Sequence, residues 1–307
     1  MPHTRSRKRR PYRVLRTETP GTVAVLATEA DFAAMRGYRT FAFDDYGAYL
    51  RHVQELLSSL AGQGLHSRVA PFDPHRFAAY CAEFGLEPDA PLSRTRYTAE
   101  IAGNGPTVPY DGQDCAELLP PLRARRARDA VWNEVTRILN DADAPTRRTL
   151  APGPQYKSGD AALHTAAAAL DALLGALGPG THHLVCSVDG PSAPLLAVLH
   201  TTTTADGSWE LTEADVLLFC SVLAAGLVTR SPGGLVVRTT PPGDLSGRTA
   251  ETVRGWCLHS GWLVPLTEAQ VFSAYCTDAE TGDPVPPETG VEYAAGIPLA
   301  PRPGGPG

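Results

Sequence analysis

Residues 212–229 form a stretch of helical length with apolar side chains on almost every side. Such a helix has no polar face to turn toward water, so it must lie inside a core formed by other elements. The chain contains no run of eighteen apolar residues, which predicts that it has no transmembrane helix. We therefore expect residues 212–229 to be a buried helix of a folded domain.

The chain around this buried helix alternates between helix and strand patterns. An Ala- and Leu-rich helix is expected at 160–177, and the turn residues Asp189-Gly190-Pro191 predict a β-hairpin between two apolar strands. The predicted strands are 182–188, 195–202, 235–239, 253–259 and 262–266, and a last helix is expected at about 268–277. This order predicts an α+β unit with a mainly antiparallel sheet.

The first half has a different pattern. Short apolar runs at 22–27, 41–43 and 67–72 predict strands, each followed by a helix start with a Thr or Asp cap. This β-α-β-α-β-α order over 22–85 is typical of parallel strands with crossover helices. One more strand is expected at 95–101, and a helix is expected from Pro121 to about Asn140.

The fold class predicted is therefore mixed α/β (α+β), in two domains. Residues 141–160 are rich in Pro, Gly and polar residues and are interpreted as a linker. The predicted organisation is a basic flexible arm (1–16), an α/β domain (17–150), an α+β domain (151–299) and a disordered tail (300–307).

Charge is distributed unevenly along the chain. Residues 1–16 contain seven basic residues and no acid. Because the whole chain carries −6, the remainder carries about −13. An acidic body with a short basic arm differs from a basic nucleic-acid-binding domain.

The composition argues against two interpretations, phosphate recognition by the arginines and a disulfide-bonded secreted protein. Lys8 and Lys157 are the only lysines, and Ala, Gly, Pro and Arg are abundant, which is the residue usage of a GC-rich genome. The arginine excess is therefore not evidence of phosphate recognition. The six cysteines are scattered without a C-x-x-C pair, which favours buried, reduced thiols, and together with the absence of a signal peptide this predicts a cytoplasmic protein.

Motifs of known chemistry are missing. Neither G-x-G-x-x-G nor G-x-x-x-x-G-K-[ST] occurs, and the turn after the first strand, Thr28-Glu29-Ala30-Asp31, places acids where a pyrophosphate would lie. G-x-S-x-G and the kinase, metalloprotease and EF-hand signatures are also absent. No cofactor and no metal is therefore assigned.

One group of residues has a geometry that permits chemistry. Strand alternation places His182 and Cys186 on one face of the predicted hairpin, with His200 across from His182. These side chains are the candidate catalytic residues, either as a Zn²⁺ site or as a thiolate activated by an imidazole. The alternative is two polar strand residues and a buried thiol, and a register slip of one residue would separate the histidines.

Two basic segments are candidate anion-binding sites. They consist of the arm residues Arg5, Arg7, Lys8, Arg9 and Arg10 and the helix residues Arg123, Arg125 and Arg126. The arm could hold an anionic polymer through counterion release, or it could be a solubilising tail. The helix arginines are also typical of a solvated face.

Three stretches resemble a family of uncharacterised proteins from GC-rich actinobacteria: TVAVLATEADFAAMRGYRTFAFDD (22–45), THHLVCSV (181–188) and VFSAYCTDAETGDPVPPETGVEYAAG (271–296). The resemblance covers most of the chain beyond the arm, but it implies no activity and supplies no functional residues.

The leading functional hypothesis is a cytoplasmic, non-enzymatic interaction or regulatory protein with an unknown protein partner. It rests on an ample core without a recognised catalytic motif. One alternative is an enzyme of unrecognised class that uses His182, Cys186 and His200. Another is binding of an anion or nucleic acid through the basic arm. No membrane partner is expected.

Overall fold

The computed structural model describes residues 21–143, 159–203, 207–242, 251–259, 261–278 and 281–299. The predicted arm, most of the linker and the predicted tail lie outside these residues. The chain has an α+β fold and divides into two compact units, Met1–Asp129 and Ala130–Gly307, here called the N-terminal and C-terminal units. Separate folding of two domains on either side of residue 150 stays a prediction.

The N-terminal unit contains a three-stranded sheet in the order β1-β2-β3. Strands β1 and β2 are parallel, as predicted, and β3 is antiparallel to β2. The elements are β1 (Gly21–Val25), α1 (Glu29–Met35), α2 (Tyr46–Gly62), β2 (Ser67–Pro71), α3 (Pro74–Glu83), α4 (Pro91–Asn104), β3 (Val108–Tyr110) and α5 (Cys115–Asp143), which continues into the C-terminal unit.

Helices α1, α2 and α3 start at capping residues that the sequence identified. Thr28 accepts the backbone N–H of Asp31, Asp45 accepts that of Ala48, and Asp73 accepts those of the next helix, where Pro74 occupies the first position. Each cap satisfies N–H groups that have no partner within the helix. The chain therefore leaves β1 and β2 directly into helices α1 and α3.

Two expected strands of this unit do not form. Residues 41–43 are irregular, and Phe41 packs against the rings of Phe32 and Tyr49 instead of entering a sheet. Residues 95–101 belong to helix α4, where Ser93 and Tyr97 are buried four residues apart, which is helical spacing. Helix α5 also begins at Cys115, six residues before the predicted start.

The C-terminal unit contains a seven-stranded sheet in the order β10-β8-β7-β4-β5-β6, with β9 also paired to β8. Its strands are antiparallel except for the β8–β10 pair. The elements are α6 (Gly159–Ala176), β4 (Thr181–Val188), β5 (Leu195–Thr203), β6 (Trp209–Glu210), α7 (Glu213–Thr229), β7 (Gly233–Thr240), β8 (Glu251–His259), β9 (Trp262–Pro265), α8 (Glu268–Tyr275) and β10 (Val291–Ala294). The predicted hairpin and the predicted buried helix are both confirmed.

Helix α7 packs on one face of this sheet, here called the inner face. An ideal Cβ on Gly226 would lie 2.7 Å from Leu258 Cδ2 and 2.9 Å from Val188 Cγ2, so this glycine permits close approach of α7 to the strands. Residues Leu218 to Val228 are all buried. The run of apolar residues is thus explained by a helix with a sheet on one side and α6 on another.

The opposite face, here called the outer face, is covered mainly at one end. Helix α8 lies over β8, where a Cβ on Gly255 would approach Leu266 and Val271. Over β4 and β5 the same face carries exposed side chains. Among the described helices, none combines the length and hydrophobicity that a membrane crossing requires.

Candidate functional site

His182 belongs to the core. Its side chain points to the inner face with an exposure of 0%, and its Nδ1 shares a 2.9 Å hydrogen bond with Thr239 Oγ1. Its Nε2 is buried without a hydrogen-bond partner among the described residues, and the ring lies 5.3 Å from that of Trp209. Burial lowers the pKa of His182 below its usual value, so the imidazole is neutral at pH 7.

Cys186 lies on the inner face as well, as the strand alternation predicted. It is 1% exposed, and burial, with a smaller contribution from Cys220, raises its thiol pKa to about 12. The nucleophilic form of a cysteine is the thiolate. At neutral pH Cys186 is therefore a protonated core residue.

His200 does not join these two residues. The observed register pairs His200 with His183, while His182 faces Thr201, so the predicted register was wrong by one residue. His200 lies on the outer face, and its ring stacks on that of His183 with centroids 4.3 Å apart and planes inclined by 6°. The three candidate residues therefore do not converge on one substrate or metal ion.

His183 and His200 are part of a row that crosses the outer face. Successive cross-strand pairs place His200 beside His183, His183 beside Arg238, Arg238 beside Val253, and Val253 beside Tyr293. Partial desolvation of the ring lowers the pKa of His183, with smaller electrostatic contributions from His200 and Arg238. His183 is therefore an uncharged, exposed imidazole at pH 7.

Arg238 is bound to groups of its own unit. Its guanidinium donates to both carboxylate oxygens of Glu288, at 3.0 and 2.7 Å, and to Glu251. The bonds to Glu288 and Glu251 raise the pKa of Arg238, and those from Thr240 and Arg238 lower the pKa of Glu251. The network leaves no net positive charge to attract an anion.

Apolar and aromatic side chains flank this row. Beside the histidines, Val198, Val185 and Val236 form a second cross-strand row, and Leu196 next to it is 49% exposed. Toward α8, Phe272 and Tyr275 are about two-fifths exposed, and both rings contact Tyr293. The outer face therefore joins an imidazole pair to exposed aliphatic and aromatic groups, a combination that the search for catalytic motifs did not detect.

The candidate arginines of α5 behave differently from one another. Arg123 donates to the carbonyl of Ala27 at 2.7 Å. Arg126 binds Asp31 at 2.5 Å and Asp73 at 3.1 Å, and Arg125 is exposed. Two of the three thus contact the start of α1 and α3 instead of facing a ligand, and the candidate arm residues lie outside the described residues.

In the part of the chain that the structure describes, no three His, Cys, Asp or Glu side chains are grouped so that they could hold a metal ion. All six cysteines lie in that part and are free thiols.

Comparison with known proteins finds a similarity over part of the chain. No curated protein and no solved structure matches the chain significantly. Residues 7–113 match the family model of a domain of unknown function, DUF8829, which corresponds to most of the N-terminal unit.

Proposed function

We propose that this chain is a non-enzymatic interaction protein and that a partner protein docks on the outer face of the C-terminal sheet. The observation that carries the proposal is the exposure of His183, His200 and Leu196 over β4 and β5. Phe272 and Tyr275 are exposed on the same face, beyond the buried Val253. Aromatic side chains are enriched at protein interfaces, and grouped apolar side chains at a surface mark interaction sites.

The chemistry of this face specifies a complementary partner surface. Val198, Val185 and Val236 offer aliphatic contact, and the imidazoles of His183 and His200 offer N–H donors. A fitting partner presents apolar side chains and hydrogen-bond acceptors, with little net charge opposite Arg238.

The other two hypotheses receive less support from the geometry. An enzyme that uses His182, Cys186 and His200 would need side chains that lie on opposite faces of one sheet to act together. Anion binding by α5 would require Arg123 and Arg126 to leave acceptors within their own unit. Binding by the basic arm stays a prediction.

A cytoplasmic location and an actinobacterial source are part of the same proposal. Six free thiols without a disulfide suit a reducing compartment. The scarcity of lysine beside abundant arginine suits a GC-rich genome.

The test is a photo-crosslinking amino acid introduced at Val236, in the middle of the outer face. The matched control carries it at Ala168, an exposed position on α6. We expect one partner to be crosslinked from Val236 and not from Ala168. That partner, once purified, should bind the His183→Asp variant at least about tenfold more weakly, because the carboxylate replaces an N–H donor with a charged acceptor that faces the partner's own acceptors.

Two results would contradict the proposal. One is the same set of adducts from both positions. The other is unchanged affinity of the purified partner for a His183→Asp variant that retains the native circular dichroism spectrum.

A further inference from the structure

Strand β5 has one edge that is largely unpaired, and this feature is independent of the outer face. Strand β5 is the last long strand of the sheet, and β6 pairs only with its end, through Thr202 and Thr203. Residues 195–201 pair with β4 on one side. On the other side no backbone partner is found for them among the described residues.

The direction of the unpaired groups follows from one hydrogen bond. Thr203 donates its backbone N–H to Gly180, on the β4 side. Both backbone groups of a residue in an antiparallel ladder point the same way, and the direction alternates along the strand. The N–H and C=O groups of Leu196, Val198 and His200 therefore point away from β4, toward the free edge.

This edge lacks the features that keep edge strands from pairing. Natural edges are protected by charged residues, proline, bulges or short length. The stretch Leu195–Thr201 contains no Lys, Arg, Asp, Glu or Pro, and its register with β4 is unbroken over eight pairs. An edge of this kind is a template for another strand.

We propose that the free edge of β5 pairs with β5 of a second copy of this chain, in antiparallel orientation about a twofold axis at Val198. Val198 is the midpoint of Leu195–Thr201, so this register uses the free edge from end to end and stops where β6 begins. Isologous pairing is the commonest form of self-association.

The same register fits the directions of the backbone groups. Val198 would pair with Val198 of the other copy, and Leu196 of each copy would pair with His200 of the other. These three residues have their unpaired backbone N–H and C=O groups at the edge. Three pairs with two hydrogen bonds each give about six new backbone hydrogen bonds. The two sheets would become one, with their outer faces continuous across the axis.

A second copy fits this edge better than a foreign peptide does, because the edge is complementary to itself about the twofold axis at Val198. A foreign strand could bind in several registers, whereas the free edge is complementary to itself in one register that satisfies all three outward-pointing residues. A foreign strand would leave the purified chain monomeric, so the test separates the two.

Sedimentation equilibrium over a concentration series tests the proposal with Val198→Lys, which places two positive charges at the axis. The control is Val185→Lys, the same change on the same face but on interior strand β4. We expect twice the chain mass of 32.6 kDa for the wild type and for Val185→Lys, and a single chain mass for Val198→Lys.

Hydrogen exchange of the wild type provides a readout that does not depend on a variant's folding. The amides of Leu196, Val198 and His200 should become protected as the concentration rises through the dimer range. A monomeric wild type, a dimeric Val198→Lys, or loss of the dimer in both variants would overturn the proposal, the last by indicating face-to-face packing. Partner docking on the outer face should instead be lost in Val185→Lys, so the two proposals can fail separately.

Discussion

Replacing Arg126 by alanine should destabilise the N-terminal unit strongly. Arg126 joins α5 to the first turn of α1 through Asp31 and to the cap of α3 through Asp73. The Asp31 side chain is only 7% exposed, and the Arg126 side chain is 29% exposed. After the substitution, the side-chain donor that the nearly buried Asp31 carboxylate keeps among the described residues is the Thr28 hydroxyl, at 2.6 Å.

The expected cost is at the lower end of the range for a broken buried pair, about 3 kcal/mol, because Thr28 stays in place. With an m-value of about 2 kcal/mol/M, the urea midpoint of the N-terminal unit should fall by about 1.5 M. Arg126→Ala/Asp31→Ala should cost at least about 1 kcal/mol less than the sum of the single variants, since the two residues are in contact.

The assay must separate the two units. All four tryptophans lie at position 132 or later, so tryptophan fluorescence follows the C-terminal unit. Urea-dependent hydrogen exchange of peptides from α1 and α3 follows the N-terminal unit. The control is Arg76→Ala in the same unit, where the arginine side chain is 51% exposed and pairs with Asp129. If Arg126→Ala lowers the midpoint no more than Arg76→Ala does, the reasoning is refuted.

Three further predictions concern the C-terminal unit. The folded-state pKa of His182 lies below the unfolded value of about 6.5, so the stability this residue confers is present above 6.5 and lost as pH falls. Urea midpoints followed by fluorescence should show a loss of up to about 1.4 kcal/mol per pH unit from His182, absent in His182→Gln. Cys186 should resist iodoacetamide at pH 8 in the native protein while the partly exposed Cys257 reacts, and equal labelling would contradict its burial. Gly226→Ala should destabilise by about 1–3 kcal/mol through overpacking, whereas Gly175→Ala, with open space around its Cβ, should stabilise α6 by up to about 1 kcal/mol in the same denaturation assay.

The sequence predicted the C-terminal unit better than the N-terminal unit for a physical reason. Burial alternates regularly in β4, where His182, Leu184, Cys186 and Val188 are buried. Helix α7 is apolar on all sides, so it can be shielded from water only by being buried in the core. In the N-terminal unit, residues 41–43 have the composition of a strand, but their rings are used in an aromatic cluster. Short apolar runs specify burial without specifying the backbone conformation that achieves it.

The sequence could have excluded the predicted histidine pairing. Requiring Leu184 and Cys186 to share one face with Ala197 and Leu199 rules out the pairing of His182 with His200, because His200 then lies on the opposite face. Counting from the turn alone gave the neighbouring register, because the loop between β4 and β5 spans six residues and sets the pairing only loosely. The outer face itself was not predictable, since it depends on Arg238 and Tyr293, which come from strands far away in sequence.

The position of Arg126 also bears on where a ligand could bind. In open sheets of parallel strands, ligands usually occupy the crevice at the carboxyl ends of the strands, near helix N-termini. In the N-terminal unit the helices that follow β1 and β2 begin at that place, and Asp31 and Asp73 already supply negative charge to their first turns. Arg126 pairs with both carboxylates, which leaves the group with a net charge of −1, so neither the helix ends nor the arginine is available to attract an anion. An anion at this place would have to displace a carboxylate that is nine-tenths buried, and for this reason the outer face and the free edge of the other unit are the better places to search for partners.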